Sequence, residues 1–169
     1  MQDRRRTDKI IKEEISLNEI KGDIWERWEY GHWIVIPTSG SVKRNGEAVM
    51  GRGLALQAKQ NFPDLAMRLG KYLLDYGNNI CFFENLRLIS FPVKRFYFDE
   101  ATLELIERSC KQTKEFLNEN YAFGNEIKIT WPIYLPKVGC GNGGLKWEDV
   151  KPILEKYFDE EKFVVCDES

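Results

Sequence analysis

Ile133-Tyr134-Leu135-Pro136-Lys137-Val138-Gly139-Cys140-Gly141-Asn142-Gly143-Gly144-Leu145-Lys146-Trp147-Glu148-Asp149-Val150 is the stretch on which the reading of this chain turns. An apolar, β-forming run leads into four glycines within six positions, and an amphipathic run follows. Strand, glycine loop and helix in that order form one unit of an α/β fold. Glycine lets a backbone approach a ligand closely, and a helix start aims unpaired N–H groups at an anion. A phosphate suits such a place. Met50-Gly51-Arg52-Gly53 is a second loop in the same setting, which points to a ligand carrying two linked phosphates.

Outward from that unit, apolar periodicity alternates strands with helices. Residues 10–17 predict a first strand, and Trp33-Ile34-Val35-Ile36 a short buried one ending at Pro37, where a ladder bond is lost. Residues 51–62 predict a helix entered from the Gly51/Gly53 turn and ended by Pro63, and residues 64–76 the next. Residues 80–83 and 86–91 read as strands around a tight turn at Glu84-Asn85. Asp99 reads as the N-cap of a long helix on which Leu103, Ile106, Cys110, Thr113 and Phe116/Leu117 recur at three-to-four spacing. Residues 127–135 predict a strand, 147–158 the last helix and 163–166 a final strand. The alternation implies an α/β layer architecture with a largely parallel sheet, whose ligands bind beyond the carboxyl ends of the strands. Both glycine loops leave such ends.

At 169 residues the chain has the size of one domain able to bury its own core. A net charge of −2 argues against a whole-surface grip on nucleic acid. Arg4, Arg5 and Arg6 lie in a polar N-terminus, residues 1–9, that reads as a flexible tail. Cys81, Cys110, Cys140 and Cys166 show no paired-ligand spacing and His32 is the sole histidine, so no metal site is expected. No signal peptide is read at the start and no apolar run approaches the ~20 residues of a membrane span. The expectation is a cytoplasmic protein with reduced thiols and no membrane partner.

Neither loop is followed by Gly-Lys-Ser/Thr, and neither carries the acidic partner of a dinucleotide fingerprint, so triphosphate hydrolysis and hydride transfer lose support. Cys140 between glycines is explained by packing, and the only histidine lies in another segment, which argues against a Cys/His dyad. Trp25, Trp28, Trp33, Trp131 and Trp147 have apolar neighbours and read as core.

Five segments taken in order carry a resemblance: Gly22-Asp23-Ile24, the strand at Ile34-Val35-Ile36, Ala48 to Gln57 with Met50-Gly51-Arg52-Gly53-Leu54 at its centre, Phe91-Pro92-Val93-Lys94-Arg95, and Gly139 to Trp147. Together they resemble a macrodomain, in the branch that contains the DNA ADP-ribosyl glycohydrolase antitoxins and the terminal ADP-ribose protein glycohydrolases. The resemblance covers roughly residues 12–166, and the last motif is its most specific. It implies a three-layer α/β/α sandwich around a mixed, largely parallel sheet, formed by residues 10–169 as a single macrodomain. It also implies ADP-ribose as ligand; no cofactor is expected.

On that resemblance Asp23 accepts a hydrogen bond from the adenine amino group with Ile24 beside the base. Gly51, Arg52, Gly53 and Leu54, with Met50, line one side of the pyrophosphate and distal ribose. Gly139, Cys140, Gly141, Asn142, Gly143 and Gly144 line the other, mostly through backbone N–H groups. Lys94 matches the lysine that hydrolases of this branch use at the distal ribose. An ordinary lysine titrates near 10.4, so about one in a thousand is neutral at pH 7. Attack on the anomeric carbon as an amine therefore needs desolvation or a neighbouring cation such as Arg95, and the alternative is an ammonium that stabilises the leaving group.

Two departures stand out. Gly143 occupies the place of an aspartate that acts in the protein-directed enzymes, which points to the DNA-directed antitoxins. Ser39 stands where those antitoxins usually carry an asparagine near the scissile bond, and residues 41–47 read as an insertion offering Lys43 and Arg44 to a phosphate backbone and Glu47 as an acid or base. The expected activity is removal of ADP-ribose from modified DNA or protein, and the antitoxin resemblance admits a toxin partner. A non-catalytic ADP-ribose reader and an ADP-ribose 1″-phosphate phosphatase are the alternatives.

Overall fold

The computed structural model describes residues 16–122 and 127–168, with Tyr121 and Ala122 as backbone only. The arginine tail and nearly all of the strand expected at 10–17 lie outside the described residues. The first strand seen, β1, is Asn18–Lys21. It is followed by α1 Ile24–Glu29, β2 His32–Ser39, α2 Gly53–Asn61, α3 Leu65–Tyr76, β3 Cys81–Phe83, β4 Leu88–Lys94, α4 Leu103–Ala122, β5 Thr130–Leu135, α5 Trp147–Tyr157 and β6 Phe163–Asp167.

The strands form one six-stranded sheet in the order β1-β6-β5-β2-β4-β3. Every pairing is parallel except β3 with β4. A parallel sheet covered on both faces needs apolar side chains on both, and β2 supplies them by simple alternation. Trp33 and Val35 enter one core with Ile106, Cys110 and Leu117 of α4 and Val150 and Leu154 of α5. Ile34 and Ile36 enter the other with Ile24 of α1, Ala58 of α2, and Leu65, Leu69 and Leu73 of α3. Full burial of each large side chain contributes on the order of 1.5–3 kcal/mol, so these two layers account for most of the fold's stabilisation. The result is an α/β/α sandwich on a mixed, mostly parallel sheet, as expected.

Two local expectations are corrected, and one element is added. Strand β2 does not stop at Pro37 but runs to Ser39, with Pro37 opposite Phe91 of β4. Its last partner in β5 is Ile34, opposite Tyr134, and β5 ends one residue later. Pro37 therefore lies past the β5 pairing, where a strand tolerates a missing N–H as it does at a sheet edge. Helix α4 begins at Leu103, and Thr102, not Asp99, is its cap: Thr102 Oγ1 accepts the Leu105 N–H at 3.2 Å. Asp99 instead accepts the Phe96 N–H at 3.2 Å, within the loop before the helix. The added element is α1, six residues that apolar periodicity does not reveal because so short a helix shows less than two turns of pattern.

Connections fix where a ligand would lie. The chain leaves β2 toward α2, α3, β3 and β4 on one side, and leaves β5 toward α5 and β6 on the other. Neighbouring strands whose exits diverge leave a crevice between their carboxyl ends. The β2/β5 boundary is that switch point.

Candidate functional site

A cleft of about 430 Å³ opens at this boundary. Its floor is the carboxyl ends of β2 and β4, with Thr38, Ser39, Val93 and Lys94; its walls are the 49–55 and 136–143 loops. Of the residues that sequence places at a ligand, Ser39, Met50, Gly51, Arg52, Gly53, Leu54, Lys94, Gly139, Gly141, Asn142 and Gly143 come together here. The two glycine loops nearly meet: a Cβ on Gly53, whose φ is +55°, would lie 3.7 Å from Asn142 Nδ2.

Loop 137–145 is folded by its own turns. Leu145 N–H donates to Gly139 O at 3.0 Å, Gly144 to Gly141 O at 3.2 Å and Cys140 to Lys137 O at 3.2 Å. Ala101 N–H donates to Gly143 O at 2.9 Å, tying the loop to the segment before α4. No acceptor among the described residues takes the N–H of Gly141, Asn142 or Gly143, nor those of Gly51, Arg52, Gly53 and Leu54 at the start of α2. Two facing sets of free amide donors, one on a helix N-terminus, suit an anion. Open space lies beyond the Cα of both Gly51 and Gly141, whereas a Cβ on Gly143 would stand 2.4 Å from Gly139 O and 2.8 Å from Ala101 Cβ. A side chain at 143 would therefore force this backbone to shift.

Lys94 is half-buried, and its Nζ donates a long bond to Tyr97 O at 3.4 Å. No carboxylate among the described residues lines the cleft or pairs with it. Ser39 is buried, its Oγ reached among the described residues only by the Ser41 N–H at 3.5 Å. Arg52 is exposed, with no side-chain cap to α2.

Four expected residues do not line the cleft. Asp23 lies past the carboxyl end of β1, where its Oδ1 caps α1 by accepting the Trp25 N–H at 2.9 Å. Ile24 is buried in the core beside it. With strands about 4.8 Å apart, β1 to β4 spans four spacings, ~19 Å, so Asp23 stands that far along the strand ends from Lys94. Cys140 points its thiol at Val138 O, 3.5 Å away, and burial pushes that thiol up from its ordinary value. His32 sits at the opposite end of β2 from Ser39, so the two halves of a Cys/His dyad lie at opposite ends of the sheet. Gly144 stands outside the cleft with φ +78° beside Glu100.

The 41–47 insertion is a small hairpin closed by a Val42–Ala48 bridge. Glu47 is turned away from the cleft: it accepts from Asn45 Nδ2 at 2.9 Å and pairs with Lys59 at 3.6 Å, so the acid/base role considered for it has no geometric support. Sequence reading missed Thr38, Tyr97 and Lys137, which line the cleft. Thr38 Oγ1 is buried without a partner among the described residues. Lys137 pairs with Asp167 at 3.2 Å and lies 4.0 Å from Glu19. Among the described residues no cluster of three metal-ligating side chains occurs, and no helix is long and apolar enough to cross a membrane.

No protein-family model matches the chain. It is 27% identical over 143 residues to a DNA ADP-ribosyl glycohydrolase of Thermus aquaticus, covering 77% of this chain and 37% of that protein. The chain thus spans about a third of the length of the curated relatives it matches. The macrodomain of Thermus aquaticus DarG superposes with a TM-score of 0.62 at 25% identity, covering 90% of this chain and 98% of that one. Thermosipho africanus DarTG, solved in complex with ADP-ribose, superposes with a TM-score of 0.65 at 23% identity over 90% of this chain and 42% of that one. The chain has the macrodomain fold, and it resembles the macrodomains of DarG proteins.

Proposed function

We propose that the cleft binds ADP-ribose and that the chain hydrolyses the bond joining ADP-ribose to a DNA base. The observation that carries this is the meeting of two amide-lined glycine loops over Ser39 and Lys94 at the β2/β5 switch point. Free N–H groups on both walls suit a pyrophosphate, and the β1 end, where Asp23 stands, suits the adenine. The distal ribose then falls at Lys94.

Hydrolysis adds hydroxide to C1″ of that ribose and returns a proton to the departing base. Glycosidases commonly use two carboxylates for this, and none lines the cleft. Lys94, the lysine at the end of β4 on the cleft floor, would act instead, either as an amine that displaces the base and is itself displaced by water, or as an ammonium that neutralises the departing base. Glycine at 143, where the resemblance places an aspartate in the protein-directed enzymes, supports DNA over protein linkages. The relatives' name, DNA ADP-ribosyl glycohydrolase, supports the same choice. A toxin partner and a cytoplasmic setting belong to this reading; four unpaired cysteines fit a reducing compartment.

Calorimetric titration with ADP-ribose, followed by mass spectrometry of an ADP-ribosylated oligonucleotide, tests it. Binding with release of ADP-ribose is expected. Binding without release from any modified substrate leaves a reader, and absence of binding removes the proposal.

A further inference from the structure

Phe96-Tyr97-Phe98, between β4 and α4, exposes three consecutive aromatic side chains: Phe98 is 71% exposed, Tyr97 57% and Phe96 42%. Both core layers of the fold are already filled, so these rings are surplus to packing. A contiguous apolar patch on a rim marks a binding surface. The Phe96 and Phe98 rings lie 3° from parallel with centroids 5.5 Å apart, and Tyr97 meets Phe98 edge-on at 5.3 Å. Arg95 holds its guanidinium 5.2 Å from the Phe96 ring centre.

The run is held in place. Phe96 N–H donates to Asp99 Oδ2 at 3.2 Å, and Tyr97 N–H to Ser41 Oγ at 3.0 Å. Gly40 N–H reaches Arg95 O at 3.0 Å, so the loops after β2 and β4 form one rim. Tyr97 also lines the cleft and accepts from Lys94 Nζ. The patch therefore starts at the Lys94 end of the cleft.

We propose that this run is a stacking platform for unpaired bases of a single-stranded nucleic acid, those flanking the modified nucleotide. Flat rings with an arginine laid over one of them match exposed base faces, which a duplex hides within its own stack. Lys94 and Arg95, with the exposed Lys43 and Arg44 on the loop after Ser41, complement phosphates. The inference rests on the proposed function, because that reading sets the distal ribose, and the base attached to it, at Lys94.

Fluorescence anisotropy with an unmodified oligothymidylate of about ten nucleotides tests the platform without any hydrolysis. The combined Phe96→Ala and Phe98→Ala variant is expected to bind it about tenfold more weakly while its affinity for free ADP-ribose is unchanged. Arg95→Gln is expected to reduce the salt slope of oligonucleotide binding by about one. Wild type that fails to bind the oligonucleotide, or binds a duplex equally well, overturns the proposal; so does an unchanged double variant. A wild-type dimer that the double variant abolishes, without oligonucleotide binding, would make the patch a protein interface and overturn it as well. Free ADP-ribose reads the cleft and the oligonucleotide reads the platform, so failure of either is told from failure of the other.

Discussion

Ser39 and Lys94 are partners on the last rung of the β2–β4 ladder, one step beyond a register shift. Thr38 pairs with Pro92, then Ser39 pairs with Lys94, so Val93 is the extra residue on β4. Such bulges re-aim side chains at the ends of strands. The rung sets Ser39, whose hydroxyl is buried, on the strand position next to Lys94, whose amine has no carboxylate partner among the described residues. Ser39→Ala is expected to lower turnover of ADP-ribosylated DNA about fivefold, the worth of one hydrogen bond, with ADP-ribose affinity nearly unchanged. Steady-state kinetics beside calorimetry would show it; an equal loss in both would assign Ser39 to binding alone.

Thr38 offers a sharper separation of stability from binding. Its hydroxyl is buried with no partner among the described residues, a situation that costs a folded protein about 1–3 kcal/mol. Thr38→Val should therefore melt at the same temperature as wild type or higher, yet bind ADP-ribose several-fold more weakly. A lowered melting temperature would mean that the hydroxyl already has a partner in the free protein.

Two glycines of one loop should fail differently. Gly141→Ala sends its methyl into open space, so the fold should survive while ADP-ribose binding falls by about tenfold or more through occupied volume. Gly143→Ala meets Gly139 O at 2.4 Å, and should lower the melting temperature as well as binding. Thermal melts and titrations of the pair would reveal identical behaviour if the loop were pliant.

Glu19 anchors the far wall. It accepts from Trp147 Nε1 at 2.9 Å and from Lys151 Nζ at 2.6 Å, and the Lys151 hydrogen bond holds its carboxyl below the ordinary 4.5. A lowered folded-state value means a stabilisation complete above about pH 4.5 and lost as pH falls through the lowered value. These charges are part-exposed, so screening keeps the effect within about 1 kcal/mol, or ~2–4 °C. Glu19→Gln should melt below wild type at pH 7, with the gap closing below pH 4.5. A gap constant with pH would assign the loss to packing.

Much of this was legible because glycine loops and strand runs announce themselves. Ile34, Val35 and Ile36 had to be a doubly covered strand, and the 139–144 loop had to be a turn with room for a ligand. What stayed hidden depended on partners distant in sequence. Pro37 is tolerated because β5 ends early, and no local signal reports where a neighbouring strand stops. Thr102 outcompetes Asp99 as the cap because Asp99 is engaged by Phe96. Lys137 and Thr38 sit at strand ends among residues of ordinary composition, and only the fold brings them to the cleft. Phe96-Tyr97-Phe98 reads locally as an apolar run, and its exposure follows from cores filled by other elements.

Lys94 carries the central claim. An ADP-ribosylated single-stranded oligonucleotide incubated with wild type and with Lys94→Ala, scored by mass spectrometry, tests it most directly. Wild type should release ADP-ribose and restore the unmodified strand, while Lys94→Ala should be slower by on the order of a hundredfold or more and still bind free ADP-ribose. Release by Lys94→Ala at the wild-type rate would contradict the account.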